Sequence, residues 1–180
     1  MLEVDRWCRW LRVPPSGQLD ARSTLFPARL VVHLVAIDKA HMKIKTVHCQ
    51  LDTQGSNDIR DVTESVRKAV RELQVQEGTA TVFVPGSTAG ITTIEFEPGV
   101  VHDLAACFSR LAPEDAGYAH EEAWHDGNGH SHVRAGLLGP SLTVPIENGQ
   151  LLLGTWQQIV VIDFDNRPRR RSYTVTVIGE

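Results

Sequence analysis

The chain contains 180 residues, of which 42% are hydrophobic and 22% are charged, and it has a formal net charge of -4 and a pI near 6.0. This length supports one hydrophobic core and leaves little room for a second domain. The slightly acidic balance excludes the broad basic surface typical of nucleic-acid-binding proteins, so we expect no nucleic-acid partner.

The cysteines and the apolar runs bear on the compartment. Cys8, Cys49 and Cys107 are odd in number and widely spaced, which argues against a disulfide framework and favours a reducing compartment. The apolar run at residues 30–37 is too short to span a bilayer, and it lies too far from the N-terminus to be a signal-peptide core. We therefore expect a cytoplasmic protein with no membrane partner.

Residues 1–41 differ from the rest of the chain, with Trp7, Trp10 and five arginines. We interpret them as an N-terminal extension that is flexible or loosely packed, and we interpret residues 42–180 as the folded domain. The alternative is that Met42 is the true first residue and the upstream residues reflect a mis-assigned start.

The first half of the folded domain predicts strands and two helices. Residues 43–51 alternate weakly and indicate a strand. Asn57 is then a candidate cap for a first helix that Gly78 ends. The apolar stripe of this helix steps by three and four positions: Ile59, Val62, Val66, Val70 and Leu73. Strands are predicted at residues 79–84 and 90–95, and a second helix is predicted from Pro98 to Pro113.

The second half predicts three more strands. Residues 141–146 and 151–165 flank Asn148-Gly149, a pair suited to a tight hairpin. A last strand has Tyr173, Val175 and Val177 on one face. Strands without a repeated strand-helix-strand period indicate an α+β fold with mainly antiparallel sheet and two main helices.

A histidine-rich segment follows the second helix. His120, His125, His130 and His132 lie within thirteen positions, among Glu121, Glu122, Asp126 and Asn128. If His130-Ser131-His132 is extended, both imidazoles lie on the same side of the chain. With His120 they would form a three-histidine metal site with open positions, and zinc, manganese, magnesium and iron stay open as the divalent ion. The alternative is that these are solvated loop histidines.

Other residues have two interpretations each. Glu95 is either a general base or an exposed carboxylate at a strand end. Ser87 and Thr88 either bind a phosphate or make a turn. Arg134 lies two residues past His132 and on an extended chain would hold an anion on the same side. The basic run at Arg167, Arg169, Arg170 and Arg171 also leaves a phosphate-sized partner open.

Several motifs resemble one known family. They are Ser87-Thr88-Ala89, Ile91-Thr92 with Glu95, Asp103, Ala112-Pro113-Glu114-Asp115, Tyr118-Ala119-His120, His132-Val133-Arg134, the segments LLGPSLTVP and LGTWQ, and the final Gly179-Glu180. Residues 42–180 are thereby identified as resembling the YjbQ family, a group associated with secondary thiamine-phosphate synthase activity.

The resemblance implies a fold, an assembly and a reaction. The fold would be an α+β chain with a two-sheet, mostly antiparallel β-sandwich, and the assembly would be a homotrimer with sites near the subunit interfaces. The reaction couples an aminopyrimidine diphosphate with a thiazole phosphate and releases pyrophosphate. The alternative is a protein that binds a metal or a small phosphorylated molecule without robust catalysis.

The resemblance also assigns residues. His120 and His132 match histidines typical of the family, Glu95 matches its usual glutamate, and Arg134 matches a basic position. Many members read His-Thr-Ser-Ala where this chain reads Gly-Ser-Thr-Ala from Gly86 onward, so we hypothesise that His130 supplies the missing imidazole. The expected catalytic residues are Glu95, His120 and His132, the metal ligands are His120, His130 and His132, and the substrate contacts are Ser87, Thr88, Asn128, Arg134 and Gln157.

Overall fold

A computed structural model describes residues 42–180 of the chain. The predictions made for residues 1–41, including the extension and the alternative start, lie outside the described residues. Within residues 42–180, no helix is both long enough and apolar enough to cross a membrane.

Eight strands within residues 42–180 form two antiparallel sheets. The five-stranded sheet has the order β1, β8, β3, β5, β6, and the three-stranded sheet has the order β2, β7, β4. The strands are β1 (Lys43–Thr53), β2 (Asp58–Asp61), β3 (Gly78–Phe83), β4 (Ala89–Ile94), β5 (Ser141–Glu147), β6 (Gln150–Leu151), β7 (Gln158–Asp163) and β8 (Arg169–Gly179). The predicted α+β fold with two mostly antiparallel sheets is confirmed.

Four helices lie among the described residues: α1 (Thr63–Leu73), α2 (Pro98–Leu111), α3 (His120–Trp124) and α4 (Gly129–Leu138). The first two are the predicted main helices. Glu97 caps α2 through its side chain, which accepts hydrogen bonds from the Gly99 and Val100 amides, and Pro98 occupies the first turn, where its missing N–H costs nothing. Helices α3 and α4 lie in the histidine-rich segment that we interpreted as a loop.

Two hydrophobic clusters hold these elements together. The first joins α1 to both sheets, and it contains Tyr173, Val175 and Val177 of β8 on the face that was predicted. The second packs α2 and α4 against the other face of β7, where the rings of Phe108 and Phe164 meet edge-on at 4.8 Å. Each fully buried aliphatic side chain in such clusters contributes about 1.5–3 kcal/mol. Strand β7 is therefore buried on both faces, and the chain segment that follows it is fixed in place.

The start of the first helix was predicted wrongly. Asp58–Asp61 is a strand that pairs with β7, and α1 begins only at Thr63. Ile59 belongs to the cluster around Phe164, whereas the rest of the stripe belongs to the cluster around α1. Tertiary packing therefore divides a stripe that the sequence presents as continuous.

The long strand predicted at residues 151–165 is interrupted. The chain leaves the sheet after Leu151 and re-enters it at Gln158. In the intervening turn, the amide of Gly154 donates to Gln157 Oε1 at 2.8 Å, and the amide of Gln157 donates to Gly154 O at 2.9 Å. The hairpin before it was predicted correctly, because Asn148 and Gly149 both have positive φ, 50° and 74°.

Candidate functional site

The helical conformation of α4 determines the direction in which each of its histidines points. His130-Ser131-His132 is helical, so the extended geometry that would place both imidazoles on one side is not adopted. Successive residues of a helix are about 100° apart, so positions 130 and 132 point to nearly opposite sides, whereas positions 130 and 134 share one side. His130 and Arg134 are buried, and His132 is half-buried. The pattern was missed because the buried face of α4 is mostly polar.

Close approach of two backbones positions α4. The helix packs on β4 at Gly90, where an added Cβ would lie 2.7 Å from Leu138 Cδ2 and 2.8 Å from Gly139 O. Only glycine fits there without displacing the helix. The position of His132 therefore depends on a glycine in the neighbouring strand.

Arg134 does not face an anion site. It is 0% exposed, and its Nε and Nη2 donate to Ala112 O at 3.0 and 2.8 Å. Its Nη1 donates to Asn57 Oδ1 at 2.9 Å and to Glu114 Oε1 at 3.3 Å. The expectation that Arg134 shares the side of His132 is wrong because two helical positions replace two strand positions, and its guanidinium is used in joining α4 to the end of α2.

His130 lies apart from the other two predicted metal ligands. It is 3% exposed, with Nε2 at 3.2 Å from Ser131 Oγ and 4.0 Å from Glu114 Oε1. Burial lowers the pKa of His130 below its usual 6.5, and the charge of Arg134 lowers it further, although Glu114 opposes this. The role of His130 as a third metal ligand remains a prediction, and this geometry does not bring it to the pair.

His120 and His132 do come together. Their ring centroids are 4.5 Å apart, and His120 Nε2 lies 3.4 Å from Asp126 Oδ1. His120 also stacks on Trp124 with ring centroids at 6.4 Å. Ligand atoms of His120, Glu121 and Asp126 all lie within 4.8 Å of one another. One imidazole and two carboxylates at this spacing, with the second imidazole beside them, are a donor set suited to a borderline divalent ion.

Glu121 stabilises the loop beside the His120–His132 pair. Its two carboxylate oxygens accept hydrogen bonds from the amides of Gly127 at 2.7 Å and Gly129 at 3.0 Å. The Gly127 hydrogen bond is the main cause that lowers the pKa of Glu121, so the group is ionised at neutral pH. Glu121 thereby fixes the loop that carries Asp126 and Asn128.

A cleft of about 440 Å³ opens next to His132. Its walls come from three segments: residues 86–88, the loop and helix start with Asp126, Asn128 and His132, and Asp165 with residues 169–171. The structure therefore brings together four of the predicted site residues, namely Ser87, Thr88, Asn128 and His132. The sequence analysis noted these arginines as a locally basic run that leaves a phosphate-sized partner open.

Two buried aspartates underlie the cleft and were not predicted. Arg171 donates to both oxygens of Asp163, at 2.8 and 2.6 Å, and Thr53 Oγ1 also donates to Asp163. Asp165 Oδ2 accepts from Thr88 Oγ1 at 2.9 Å and contacts Arg169 Nη2 at 2.9 Å. In the segment VVIDFD, both aspartates follow an apolar run. Acidic residues at the end of such a run are the sequence signal that would have indicated them.

Burial and hydrogen bonding shift the pKa of Asp165 in opposite directions. Burial raises the pKa of Asp165, but hydrogen bonds from Arg169 and Thr88 and the charges of Arg169 and Arg171 outweigh it, so the pKa lies below its usual value. The carboxylate at the base of the cleft is therefore ionised.

Glu95 and Gln157 do not reach this cleft within one chain. Thr88 directly precedes the six-residue strand β4, and Glu95 directly follows it, so the two are separated by roughly 20 Å at about 3.3 Å per residue. Gln157 lies at the same far end, where its Nε2 donates to Thr93 Oγ1 at 3.4 Å. The roles predicted for Glu95 and Gln157 remain predictions.

Fold and site together define an α+β protein in which an arginine-rich cleft lies beside a pair of imidazoles. A family model described as "UPF0047 protein YjbQ-like" matches residues 47–180. The chain belongs to the YjbQ family, as its motifs predicted.

Relatives and solved structures agree with this assignment. The chain is 39% identical over 132 residues to a UPF0047 protein of Methanocaldococcus jannaschii, covering 73% of this chain and 92% of that protein. It is 34% identical over 132 residues to the UPF0047 protein YugU of Bacillus subtilis, covering 72% of this chain and 96% of that protein.

Two crystal structures have the same fold. One is a YbjQ-like protein of unknown function from Sulfolobus solfataricus P2, with a TM-score of 0.74, 29% identity and coverage of 78% of this chain and 100% of that chain. The other is an uncharacterized conserved protein of the YjbQ/UPF0047 family from Clostridium acetobutylicum, with a TM-score of 0.67, 39% identity and coverage of 73% and 98%.

Proposed function

We propose that the cleft binds a small phosphorylated molecule. The observation that carries this proposal is the convergence of residues 169–171, the 86–88 turn and His132 on one cleft. Arg171 is committed to Asp163, but the Arg170 side chain is 71% exposed, and its hydrogen-bond and ion-pair partners among residues 42–180 are the exposed Gln50 and Asp52. A guanidinium in this position can form paired hydrogen bonds with phosphate oxygens.

We further propose that the bound molecule reacts, in a transfer of the thiamine-phosphate synthase type. The family resemblance supports this step. In such a reaction a thiazole nitrogen forms a bond to the methylene carbon of an aminopyrimidine diphosphate, the carbon–oxygen bond breaks, and pyrophosphate leaves with the electron pair. Arg169 and Arg170 would stabilise the charge that develops on the leaving group, and His132 is placed to hold or donate a proton beside it.

A divalent ion is proposed at the imidazole pair, with His120, His132 and Asp126 as the residues that hold it. The fit is supported by His120 Nε2, a buried atom that forms no hydrogen bond with any residue of the described range. An ion there would act as a Lewis acid toward a phosphate oxygen. Zinc or manganese suits nitrogen and oxygen donors of this kind.

Glu95 requires a second subunit if it acts at the cleft. We propose a homotrimer, working in the cytoplasm, in which Glu95 and Gln157 of one subunit serve the cleft of a neighbour. The separation of roughly 20 Å within one chain supports this arrangement. Co-expressing Glu95→Gln with His132→Ala tests it, because mixed trimers would regain activity that each variant lacks alone. No recovery in verified mixed trimers would contradict a shared site.

Formation of thiamine phosphate from the two precursors tests the reaction. We expect product with the wild type and none above background with His132→Ala, while His102→Ala, which changes an exposed histidine of α2, serves as the matched control. Phosphate-ligand binding by the wild type with no product would contradict catalysis and leave the binding function.

A further inference from the structure

Two buried oxygen atoms in the cleft have no partner among residues 42–180. Asp165 is 1% exposed and Asn128 is 5% exposed, yet Asp165 Oδ1 and Asn128 Oδ1 accept no hydrogen bond from any residue in that range. Arg167 Nε lies 4.0 Å from Asp165 Oδ1, beyond hydrogen-bond distance. A buried acceptor without a hydrogen-bond donor destabilises the fold, so these two oxygens are suited to a bound group.

The two oxygens belong to segments that face each other. On one side of them, Asn166 Nδ2 donates to Asp126 O at 2.8 Å. On the other side, Ser131 Oγ donates to Phe164 O at 2.5 Å. These two hydrogen bonds hold residues 126–131 against residues 164–166, and both Asn128 and Asp165 line the cleft between them.

The Asp165 carboxylate is held in a fixed orientation. Its Oδ2 is used by Thr88 Oγ1 and Arg169 Nη2, both at 2.9 Å, which leaves Oδ1 as the free ligand atom. The backbone of Asn128 is held as well, because its N–H donates to Asp126 Oδ1 at 3.1 Å and the residue directly precedes α4. A carboxylate oxygen and a side-chain amide oxygen are both hard ligands.

We propose that Asp165 Oδ1 and Asn128 Oδ1 bind a hard divalent cation of the Mg²⁺ or Mn²⁺ type, which enters the cleft together with the phosphate of the ligand. This proposal rests on the proposed function. Mg²⁺ is commonly held by one or two carboxylates together with substrate phosphates and water. The site is distinct from the imidazole pair, which offers nitrogen ligands.

Charge explains why the cation and the phosphate bind together. Asp126, Asp163 and Asp165 balance the three arginines at positions 169–171, so a dication alone adds uncompensated positive charge beside the guanidinium groups. A phosphate or diphosphate removes that excess. Each ligand therefore strengthens the binding of the other, as linkage requires.

Calorimetric titration of inorganic pyrophosphate into chelator-treated protein, with and without Mg²⁺, tests the proposal. We expect Mg²⁺ to tighten pyrophosphate binding at least about tenfold, within the usual range for coupled sites. Asn128→Ala should lose most of this enhancement, so its affinities for pyrophosphate with and without Mg²⁺ should become nearly equal. Asn128→Asp supplies a second carboxylate and should tighten the binding of Mn²⁺ measured alone by electron paramagnetic resonance.

His102→Ala is the matched control, because it changes an exposed histidine outside the cleft and leaves both oxygens and the imidazole pair in place. It should keep the ratio of affinities with and without Mg²⁺. Equal pyrophosphate affinity with and without Mg²⁺ in the wild type would overturn the cation site and leave the proposed function intact. The cation site would also be overturned if His120→Ala lost the Mg²⁺-dependent gain in pyrophosphate affinity and Asn128→Ala kept it. No pyrophosphate binding under either condition would overturn both proposals.

Discussion

Arg171 donates to both carboxylate oxygens of Asp163, with Nε to Oδ2 at 2.8 Å and Nη2 to Oδ1 at 2.6 Å. This bidentate pair lies beneath the cleft and joins β8 to the end of β7. Because Arg171 is paired with the buried Asp163, the positive charge that the cleft presents comes from the neighbouring arginines.

Arg171→Ala should destabilise the fold strongly, whereas Arg170→Ala should not. Removing Arg171 leaves the fully buried Asp163 without its charged partner, which typically costs about 3–5 kcal/mol. Arg170 is exposed, so its replacement should change the free energy of unfolding by less than about 0.5 kcal/mol. Urea denaturation of the two variants gives the comparison. Equal stabilities would show that the Asp163 pair does not support the sheet.

Arg134 and His132 form a second matched pair on opposite sides of α4. Arg134→Met keeps much of the side-chain volume but removes the donors to Ala112 O and Asn57 Oδ1, so we expect a loss of about 3 kcal/mol. His132→Ala changes a half-buried position of the cleft and should cost less than about 1 kcal/mol. Thermal denaturation of both variants measures this. A larger loss in His132→Ala would contradict the orientation of α4.

His130 should make the protein less stable in mild acid. Its pKa in the folded state lies below 6.5 because of burial and Arg134, so the unfolded state binds more protons in the window between the two values. Stability from this residue is fully present above the unfolded pKa and is lost as the pH falls below about 6.5, with a slope of up to about 1.4 kcal/mol per pH unit.

His130→Gln removes the titrating group and tests that prediction. The difference in unfolding free energy between pH 7.5 and pH 5.5 should be smaller in the variant than in the wild type. Since His125 is exposed in the same segment, His125→Gln serves as the control and should keep the wild-type slope. Identical slopes in wild type and His130→Gln would contradict the neutral, buried state of His130.

Alanine substitution of two glycines, one in crowded surroundings and one in open surroundings, tests the packing of the sheet and of α4. A Cβ at Gly78 would lie 2.1 Å from Ile178 O, in backbone that cannot move aside, whereas a Cβ at Gly136 meets nothing within 4 Å. Gly136→Ala on exposed helix should stabilise by about 0.5–1 kcal/mol. Gly78→Ala should destabilise by about 1–3 kcal/mol or prevent folding. Denaturation midpoints decide, and stabilisation by Gly78→Ala would contradict the β3–β8 register.

Local signals predicted the elements that depend on local chemistry. Pro98 marked the first turn of α2, Asn148-Gly149 marked the hairpin, and the alternation of Tyr173, Val175 and Val177 gave the inward face of β8. Each of these signals acts within a few residues, where backbone preference and periodicity dominate. The structure confirms all three.

Long-range packing decided the elements that were missed. Ile59 reads as part of a helical stripe, but pairing of β2 with β7 places it in a different cluster. The burial of His130, Ser131 and Arg134 in α4 depends on a 4.0 Å contact with Glu114 and on hydrogen bonds to Phe164 O and Ala112 O, which are distant in the sequence. A helix with a polar buried face has no hydrophobic periodicity from which to predict it.

The residues of the candidate site also divide into those that local sequence signals indicate and those that depend on long-range packing. Sequence reasoning found Ser87, Thr88, Asn128, His120 and His132, because their residue types and spacing are unusual. It did not find Asp163, Asp165 or the role of Arg171, since their significance depends on the antiparallel return of β8 beside β7 and the 86–88 turn. It also placed Glu95 and Gln157 with the others, although one full strand separates them.

Pyrophosphate binding by wild type and Arg170→Ala, measured by calorimetry in the presence of Mg²⁺, tests the central claim most directly. Arg170 is exposed at the cleft and its removal should leave the fold intact, so a loss of affinity reports on the ligand contact alone. We predict saturable binding to the wild type and affinity at least about tenfold weaker in the variant, as expected for one lost charged hydrogen-bonding group. No saturable binding to the wild type, or equal affinity in the two proteins, would contradict a phosphate site in this cleft.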